Sequence, residues 1–202
     1  MGNPGMRVGP PEGFAVRQAT DSDAGGVIGL YAACWGEHVG MVLDTVGEMA
    51  HLNYVASHYA RVGGLAWVAE RGAIDGAERG AIDGAERVAI GGAERRAIDG
   101  AERGASIAGS VAWRPVADDH AELQMLYVMP DARRNGLASH LVVRVEQRVA
   151  DLGFGMLELW SDIRFPDAHR LYRALGWEQL EETRHVDDLS DSTEFHFLKP
   201  LR

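Results

Sequence analysis

Cysteine, positive charge and long apolar runs are all scarce in this chain of 202 residues. Cys34 is the one cysteine, so no intramolecular disulfide can form, and a reducing, cytoplasmic compartment is the simple expectation. Twenty Lys+Arg stand against thirty Asp+Glu, for a formal net charge of −10. That is the reverse of the basic surplus a nucleic-acid binder carries, so no nucleic-acid partner is expected. No apolar stretch approaches the roughly 18 residues that cross a bilayer as a helix, which argues against a membrane partner. The opening MGNPGMRVGPPEGF lacks the hydrophobic core of a signal peptide. Its Gly and Pro make residues 1–13 read as a disordered lead-in, with Met6 as an alternative start. His120, His140, His169, His185 and His196 show no metal-ligand spacing. They read as surface or edge residues, and no metal is expected.

What the chain has in excess is repetition. Residues 71–102 read RGAIDGAE RGAIDGAE RVAIGGAE RRAIDGAE, one octapeptide four times. Eight residues advance a helix by about 800°, so the Ala-Ile patch drifts by about 80° per copy and never forms one face. Asp-Gly pairs at 75–76, 83–84 and 99–100, with Gly91-Gly92, would suit hairpin turns. The arms between them, however, are Ala, Glu, Arg and Gly with one Ile each, which offer little apolar area against the ordering entropy. The favoured reading is a tandem duplication that lengthened a surface loop, at about 0.6 kcal/mol per doubling of length. The block contains no His, Cys, Ser or Tyr, so it carries no obvious chemistry. Without it, LAWVAE and RGASIAGSVAW join as strand, turn and strand, so the repeat sits where a hairpin loop belongs.

The rest of the chain alternates strand and helix signals. Strands are expected at 14–18, 65–70, 107–116 (with Pro115 marking the end), 121–129, 156–160, 180–186 and 194–198. Helices are expected at 24–35, after the capping side chains of Thr20-Asp-Ser-Asp23, and at 46–61, 137–152 and 167–175. The clearest helix places Leu137, Leu141, Val145, Val149 and Leu152 on one apolar face. This order describes a single mixed α/β (α+β) domain over 14–201, interrupted at 71–102.

Chemistry concentrates in LYVMPDARRNGLASHLV, residues 126–142. A strand ends, Pro130 breaks the ladder, and a short loop with Arg133, Arg134 and Gly136 opens the best helix. Such a helix start presents unpaired N–H groups and partial positive charge, and Gly136 and Ala138 let a ligand approach closely. Phosphate or pyrophosphate is the natural guest. The loop lacks the Lys-Ser/Thr of a P-loop and the three-glycine dinucleotide fingerprint.

Arg133-Arg-Asn-Gly136-Leu-Ala138 resembles the Q/R-x-x-G-x-G/A signature of the GNAT superfamily of acyl-CoA-dependent N-acetyltransferases. AHRLYRALGW at 168–177 is similar to that family's A-x-x-LY-x-x-LGF segment, with Trp177 where Phe is usual. The likeness extends over 14–201 apart from the repeat. It implies a central mixed, mostly antiparallel sheet flanked by helices, with acetyl-CoA as co-substrate and no metal. It implies that the backbone of Leu126, Tyr127 and Val128 pairs with the pantetheine arm. Backbone N–H groups of Arg133, Arg134, Asn135, Gly136, Leu137 and Ala138, with the Ser139 hydroxyl, would hold the pyrophosphate. The acyl group would lie where the 126 and 156 strands splay apart. Tyr172 stands at the family's general-acid position, and Glu122 at a strand position where some members carry a base that acts through water. Strand alternation would put 122, 124, 126 and 128 on one face, in line with the acyl-CoA strand.

The plainer readings are a solvated carboxylate at Glu122 and a packed core ring at Tyr172. Cys34 has no base beside it and reads as core. Asp162, Arg164, Trp35 and Glu37 fall near the substrate by position alone. The acceptor implied is a primary amine of a small molecule or peptide, and the acidic balance leans toward a cationic one. Strand-edge homodimers are common in the resembling family. The rival reading is a non-catalytic acyl-CoA-binding or sensing module on the same fold. A chain lacking residues 71–102 is expected to fold and to bind acetyl-CoA; loss of either, by circular dichroism or calorimetry, would make the repeat structural.

Overall fold

The computed structural model describes residues 9–71 and 106–201. The repeat, apart from Arg71, and residues 1–8 of the lead lie outside the described residues, and so do the readings made of them. The elements run β1 (Phe14–Gln18), α1 (Ala24–Trp35), α2 (Val55–Arg61), β2 (Leu65–Arg71), β3 (Ile107–Ala117), β4 (His120–Val128), α3 (Leu137–Asp151), β5 (Met156–Asp162), α4 (Pro166–Ala174), β6 (Glu178–Val186) and β7 (Ser192–Pro200). The seven strands form one sheet in the order β1-β2-β3-β4-β5-β7-β6. Every neighbouring pair is antiparallel except β4 and β5. β2 and β3 pair directly, and Arg71 N–H donates to Ser106 C=O at 3.1 Å. Arg71 and Ser106 are therefore hydrogen-bonded neighbours at one end of the β2–β3 pair.

Three expectations about elements need correction. Only the second half of the 46–61 segment is α-helix; Ala50–Tyr54 is a 3-10 turn leading into it. Pro115 does not end β3. It lies opposite Ala121, and a register shift between Pro115 and Ala117 absorbs its missing donor. Leu152 is 45% exposed, so the apolar face of α3 ends at Val149.

Helices cover the sheet on both sides. Leu137, Leu141, Val142, Val145 and Val149 of α3 are buried against Trp67, Val111, Trp113, Leu123 and Leu157, and α4 adds Tyr172 to the same layer. Each such aliphatic side chain contributes about 1.5–3 kcal/mol relative to exposure. On the opposite face Val27, Tyr31, Val55 and Tyr59 of α1 and α2 pack on Val68, Ala112 and Met125. Those two helices pack on β2, β3 and β4. Past β4, on that side, β5, β7 and β6 present Glu158, Trp160, Glu182, Arg184, Glu194 and His196.

Polar ties fix the margins. Arg17 on β1 bonds both carboxylate oxygens of Asp23 at 2.8 and 2.7 Å and Glu70 at 2.6 Å, so β1, β2 and the start of α1 move together. Lys199, the only lysine in the chain, donates to Glu146 Oε1 on α3 and to Leu175 C=O, both at 2.7 Å. Trp177 Nε1 reaches the same Glu146 oxygen at 2.9 Å.

One irregularity shapes the centre. The β3–β4 register jumps between Ser110↔Tyr127 and Ala112↔Gln124, so Val111 faces two residues, Met125 and Leu126. Met125 takes up the extra residue with φ +57. The Ser110 hydroxyl, fully buried, donates to Met125 C=O at 2.7 Å and pins the bulge. Ser110→Ala should destabilise the protein by about 1–3 kcal/mol, because it leaves that buried carbonyl unpaired. Urea denaturation measures this; an unchanged midpoint would mean the bulge is held by other contacts.

Candidate functional site

β4 and β5 pair at only three positions, His120↔Met156, Ala121↔Leu157 and Glu122↔Glu158. Beyond Glu122 the bulged β4 runs on to Val128 and β5 to Asp162 without pairing, and a V-shaped gap opens toward the carboxyl ends of both strands. Ligands of open α/β sheets favour such a place. Met129 N–H donates to Ala108 C=O of β3. By strand alternation the backbone of Tyr127 also faces β3, while that of Leu126 and Val128 faces the gap. The expectation that all three would pair with a ligand therefore narrows to two. Val128 C=O is already engaged by Arg133 Nε at 3.1 Å and by the Cys34 thiol at 3.4 Å, which leaves its N–H and the Leu126 groups available.

At the mouth of the gap, Pro130–Ala132 makes a 3-10 turn, and the backbone then turns left-handed at Arg134 (φ +64) and Gly136 (φ +81). No side chain caps α3, whose first backbone bond runs from His140 N–H to Gly136 C=O. The N–H groups of Leu137, Ala138 and Ser139 consequently point out of the helix start. A Cβ on Gly136 would meet open space, so the approach to these groups is clear. Arg133 does not contribute its side chain here. It folds back onto Val128 C=O, Cys34 and Glu37, the last at 2.6 Å. Arg134 is exposed, and Asn135 Nδ2 reaches Ala132 C=O at 3.5 Å. Cys34 is core, as expected; burial pushes its thiol up, and Arg133 offsets that in part.

Glu122 is neither solvated nor in line with Leu126 and Val128. It is 4% exposed, and Arg114 Nη2 holds its Oε2 at 2.5 Å. Its strand neighbour Gln124 accepts from Tyr59 of α2 at 2.8 Å, whereas Leu126 and Val128 pack in the α3 layer. The extra residue at Met125 reverses the alternation, so Glu122 shares its face with Met125 and Tyr127. Tyr172 approaches the gap from the other side. Its ring packs on Trp177 and Phe197, and its hydroxyl has no hydrogen-bond partner among the described residues. Burial pushes that hydroxyl well above its usual range, so it stays protonated at neutral pH. Across the gap, Tyr127 OH accepts from Trp35 Nε1 at 2.9 Å and lies within electrostatic reach of Tyr172. Glu122 sits at the apex, and no direct contact joins it to Tyr172 among the described residues.

Sequence reasoning missed what β7 and β6 bring to the open face. Glu194 lies within electrostatic reach of Glu122, Asp162 and Tyr127; burial pushes its carboxyl up, against the Arg184 Nε bond at 2.6 Å. Trp160 stacks on His196 with Arg184 over its ring. The signal was present, in the polar–apolar alternation of Glu194, Phe195, His196 and Phe197, but it did not reveal which strands lay beside it. His169 and His196 are buried, contrary to the expectation of surface or edge positions. His169 Nε2 meets Ser161 Oγ at 3.2 Å, and burial lowers its basicity, which makes it a packing residue. Arg164 donates to Asp162 three times, from its backbone N–H and Nε at 2.8 Å and from Nη2 at 2.6 Å, and also grips Ser190 C=O and Ser192. Among the described residues no group of three His, Cys, Asp or Glu could hold a metal ion.

Known proteins share this fold. The structure superposes on a GNAT-family acetyltransferase from Staphylococcus aureus Mu50 with TM-score 0.68 and 12% identity, covering 94% of this chain and 99% of that one. An acetyltransferase from Salmonella typhimurium, solved with its cofactor acetyl-CoA, gives TM-score 0.60 at 14% identity, covering 95% of each chain. An aminoglycoside N(6')-acetyltransferase type 1 from Acinetobacter genomosp. 13 is 40% identical over 63 residues, which are 30% of this chain and 42% of that protein. The match thus spans less than half the length of that curated relative. The sequence model of the acetyltransferase (GNAT) family matches residues 74–177, just over half the chain, and takes in the splayed strands, the helix start and the α4 turn. On that match and that fold, the chain belongs to the GNAT family of acetyltransferases.

Proposed function

We propose that this protein is an acetyl-CoA-dependent N-acetyltransferase that acts by direct transfer in a ternary complex, with a primary amine of a small molecule or peptide as acceptor. The observation that carries the reading is the β4–β5 gap with an uncapped helix start at its mouth. Acetyl-CoA would supply the activated acyl group as a thioester. The N–H groups from Arg134 to Ala138, with the Ser139 hydroxyl, bind pyrophosphate there. Leu126 N–H and C=O and Val128 N–H line the pantetheine path, and Val128 N–H is placed to polarise the acyl carbonyl. Glu122, held in one rotamer by Arg114, accepts a proton from the amine through a water. Tyr172, protonated in its apolar surroundings, donates to the departing sulfur.

The open face favours a cationic acceptor. Arg114, Arg164 and Arg184 are each matched to one carboxylate, Glu122, Asp162 and Glu194. Glu158 and Glu182 make no ion pair with an arginine or lysine among the described residues, only with His196, which leaves a surplus of negative charge. Aminoglycosides, on which the Acinetobacter relative acts by its name, are cationic amines of this kind.

An amine panel with acetyl-CoA and thiol detection tests the reading. CoA release with at least one cationic amine is expected; tight acetyl-CoA binding without turnover on any amine would sink it. Glu122→Gln and Tyr172→Phe should each lower kcat by about 10²–10⁴-fold while CoA affinity is kept. Gly136→Val forces a branched side chain into a left-handed conformation and should weaken CoA binding by about tenfold or more in calorimetry. Unchanged affinity would refute the pyrophosphate assignment.

A further inference from the structure

Arg133 turns its side chain away from the open helix start and commits it to the end of β4. Val128 is the last residue of that strand. On a strand edge the N–H and C=O of one residue point the same way, a donor beside an acceptor. β5 pairs with β4 no further than Glu122, so it takes neither group of Val128. The C=O is nonetheless occupied twice, by Arg133 Nε at 3.1 Å and by the Cys34 thiol at 3.4 Å. The other end of the same peptide is fixed as well, since Met129 N–H donates to Ala108 C=O at 2.9 Å. The guanidinium is itself held. Its Nη2 donates to Glu37 Oε2 at 2.6 Å and lies 3.7 Å from Cys34 Sγ. A planar fork gripped at two points keeps one orientation. What residue 128 then offers to the gap is a donor alone.

We propose that Arg133 is a positioning residue for acyl transfer: seated on Val128 C=O and anchored by Glu37, it aims Val128 N–H at the thioester carbonyl and silences the acceptor beside it. The inference rests on the N-acetyltransferase reading and deepens it. A bare C=O next to that N–H would turn its negative end toward the acyl oxygen. That oxygen becomes more negative as the reaction proceeds, so a donor fixed in advance favours the transition state over the ground state. As the amine nitrogen bonds to the acyl carbon, the carbonyl π pair moves onto oxygen. The pair returns as the C–S bond breaks, and the electrons of that bond leave with sulfur, which takes its proton from Tyr172. Arg133 exchanges no proton at any stage; it acts through Val128.

Two substitutions separate geometry from charge. With the amine found most active on the panel, Arg133→Ala should lower kcat by about 10–100-fold, while CoA affinity stays within about threefold in calorimetry. Arg133→Lys keeps the positive charge but has no fork to span Val128 C=O and Glu37, so its rate should stay near that of Arg133→Ala. Guanidinium ion at millimolar levels should restore part of the rate to Arg133→Ala and leave the parent unchanged. NMR reads the contact directly. The Val128 carbonyl carbon should shift upfield in Arg133→Ala. In the parent, the Val128 amide proton should move further downfield with acetyl-CoA than with CoA, a difference that Arg133→Ala diminishes. Glu37→Ala serves if the Arg133 variants do not fold. Its side chain is 38% exposed, and its loss should lower kcat by about twofold to fivefold and diminish the same difference. An unchanged kcat in Arg133→Ala, full activity in Arg133→Lys, a loss confined to CoA affinity, or a Val128 amide that does not distinguish acetyl-CoA from CoA would overturn the proposal. A parent that turns over no amine would instead overturn the functional reading on which it rests; the response of Val128 to the acetyl group needs no acceptor and keeps the two failures apart.

Discussion

The site depends on a sheet that stops being a sheet. β4 and β5 share three parallel pairs and then part, because the extra residue at Met125 bends β4 away from its neighbour. Main-chain donors and acceptors that a continuous sheet would consume are left facing one another across a wedge. Buried backbone groups without partners are costly, so a wedge of this kind favours any guest that brings amide groups of its own. The same bulge sets the side chains. It sends Leu126 and Val128 into the α3 core and puts Met125 and Tyr127 with Glu122 on the α1 side of the sheet. One hydroxyl, that of Ser110, stands behind both effects.

Charge is arranged by the same geometry. The helices that shield the α1 side reach β2, β3 and β4, and the adjoining three strands carry carboxylates, arginines and an aromatic platform. Most of these groups neutralise one another in pairs. What distinguishes the centre is the pair that does not, Glu158 and Glu182 on either side of a buried imidazole. A low-dielectric wall behind such a group makes its charge felt more strongly than it would be at an open surface.

Much of this was legible from the chain alone, where local physics decides. The four-residue spacing of Leu137, Leu141, Val145 and Val149 fixed the face of α3, and Gly136 with the small residues after it marked an exposed helix start. The placement of Tyr172 on the helix after β5 also followed from its segment. What escaped notice was non-local. Alternation at 122, 124, 126 and 128 fails because one inserted residue reverses it, and no local signal announces a non-glycine residue with positive φ. Arg133 reads as an anion ligand until Glu37, nearly a hundred positions away, draws it back. His196 reads as a solitary histidine until strand order sets β7 between β5 and β6 and brings Glu158 and Glu182 to either side of it. Pro115 reads as a strand end, although a register shift allows the strand to continue.

Lys199 has a consequence of a different kind. A catalyst that acylates amines works among its own side-chain amines, and each exposed lysine is a competing acceptor. This chain carries one lysine, and its ammonium is committed to Glu146 and the Leu175 carbonyl with 20% of the side chain exposed. Its other cationic side chains of the lysine–arginine class are guanidiniums, which do not deprotonate in the physiological range. Its side chains therefore offer few amines to acylating chemistry of the kind proposed for its site.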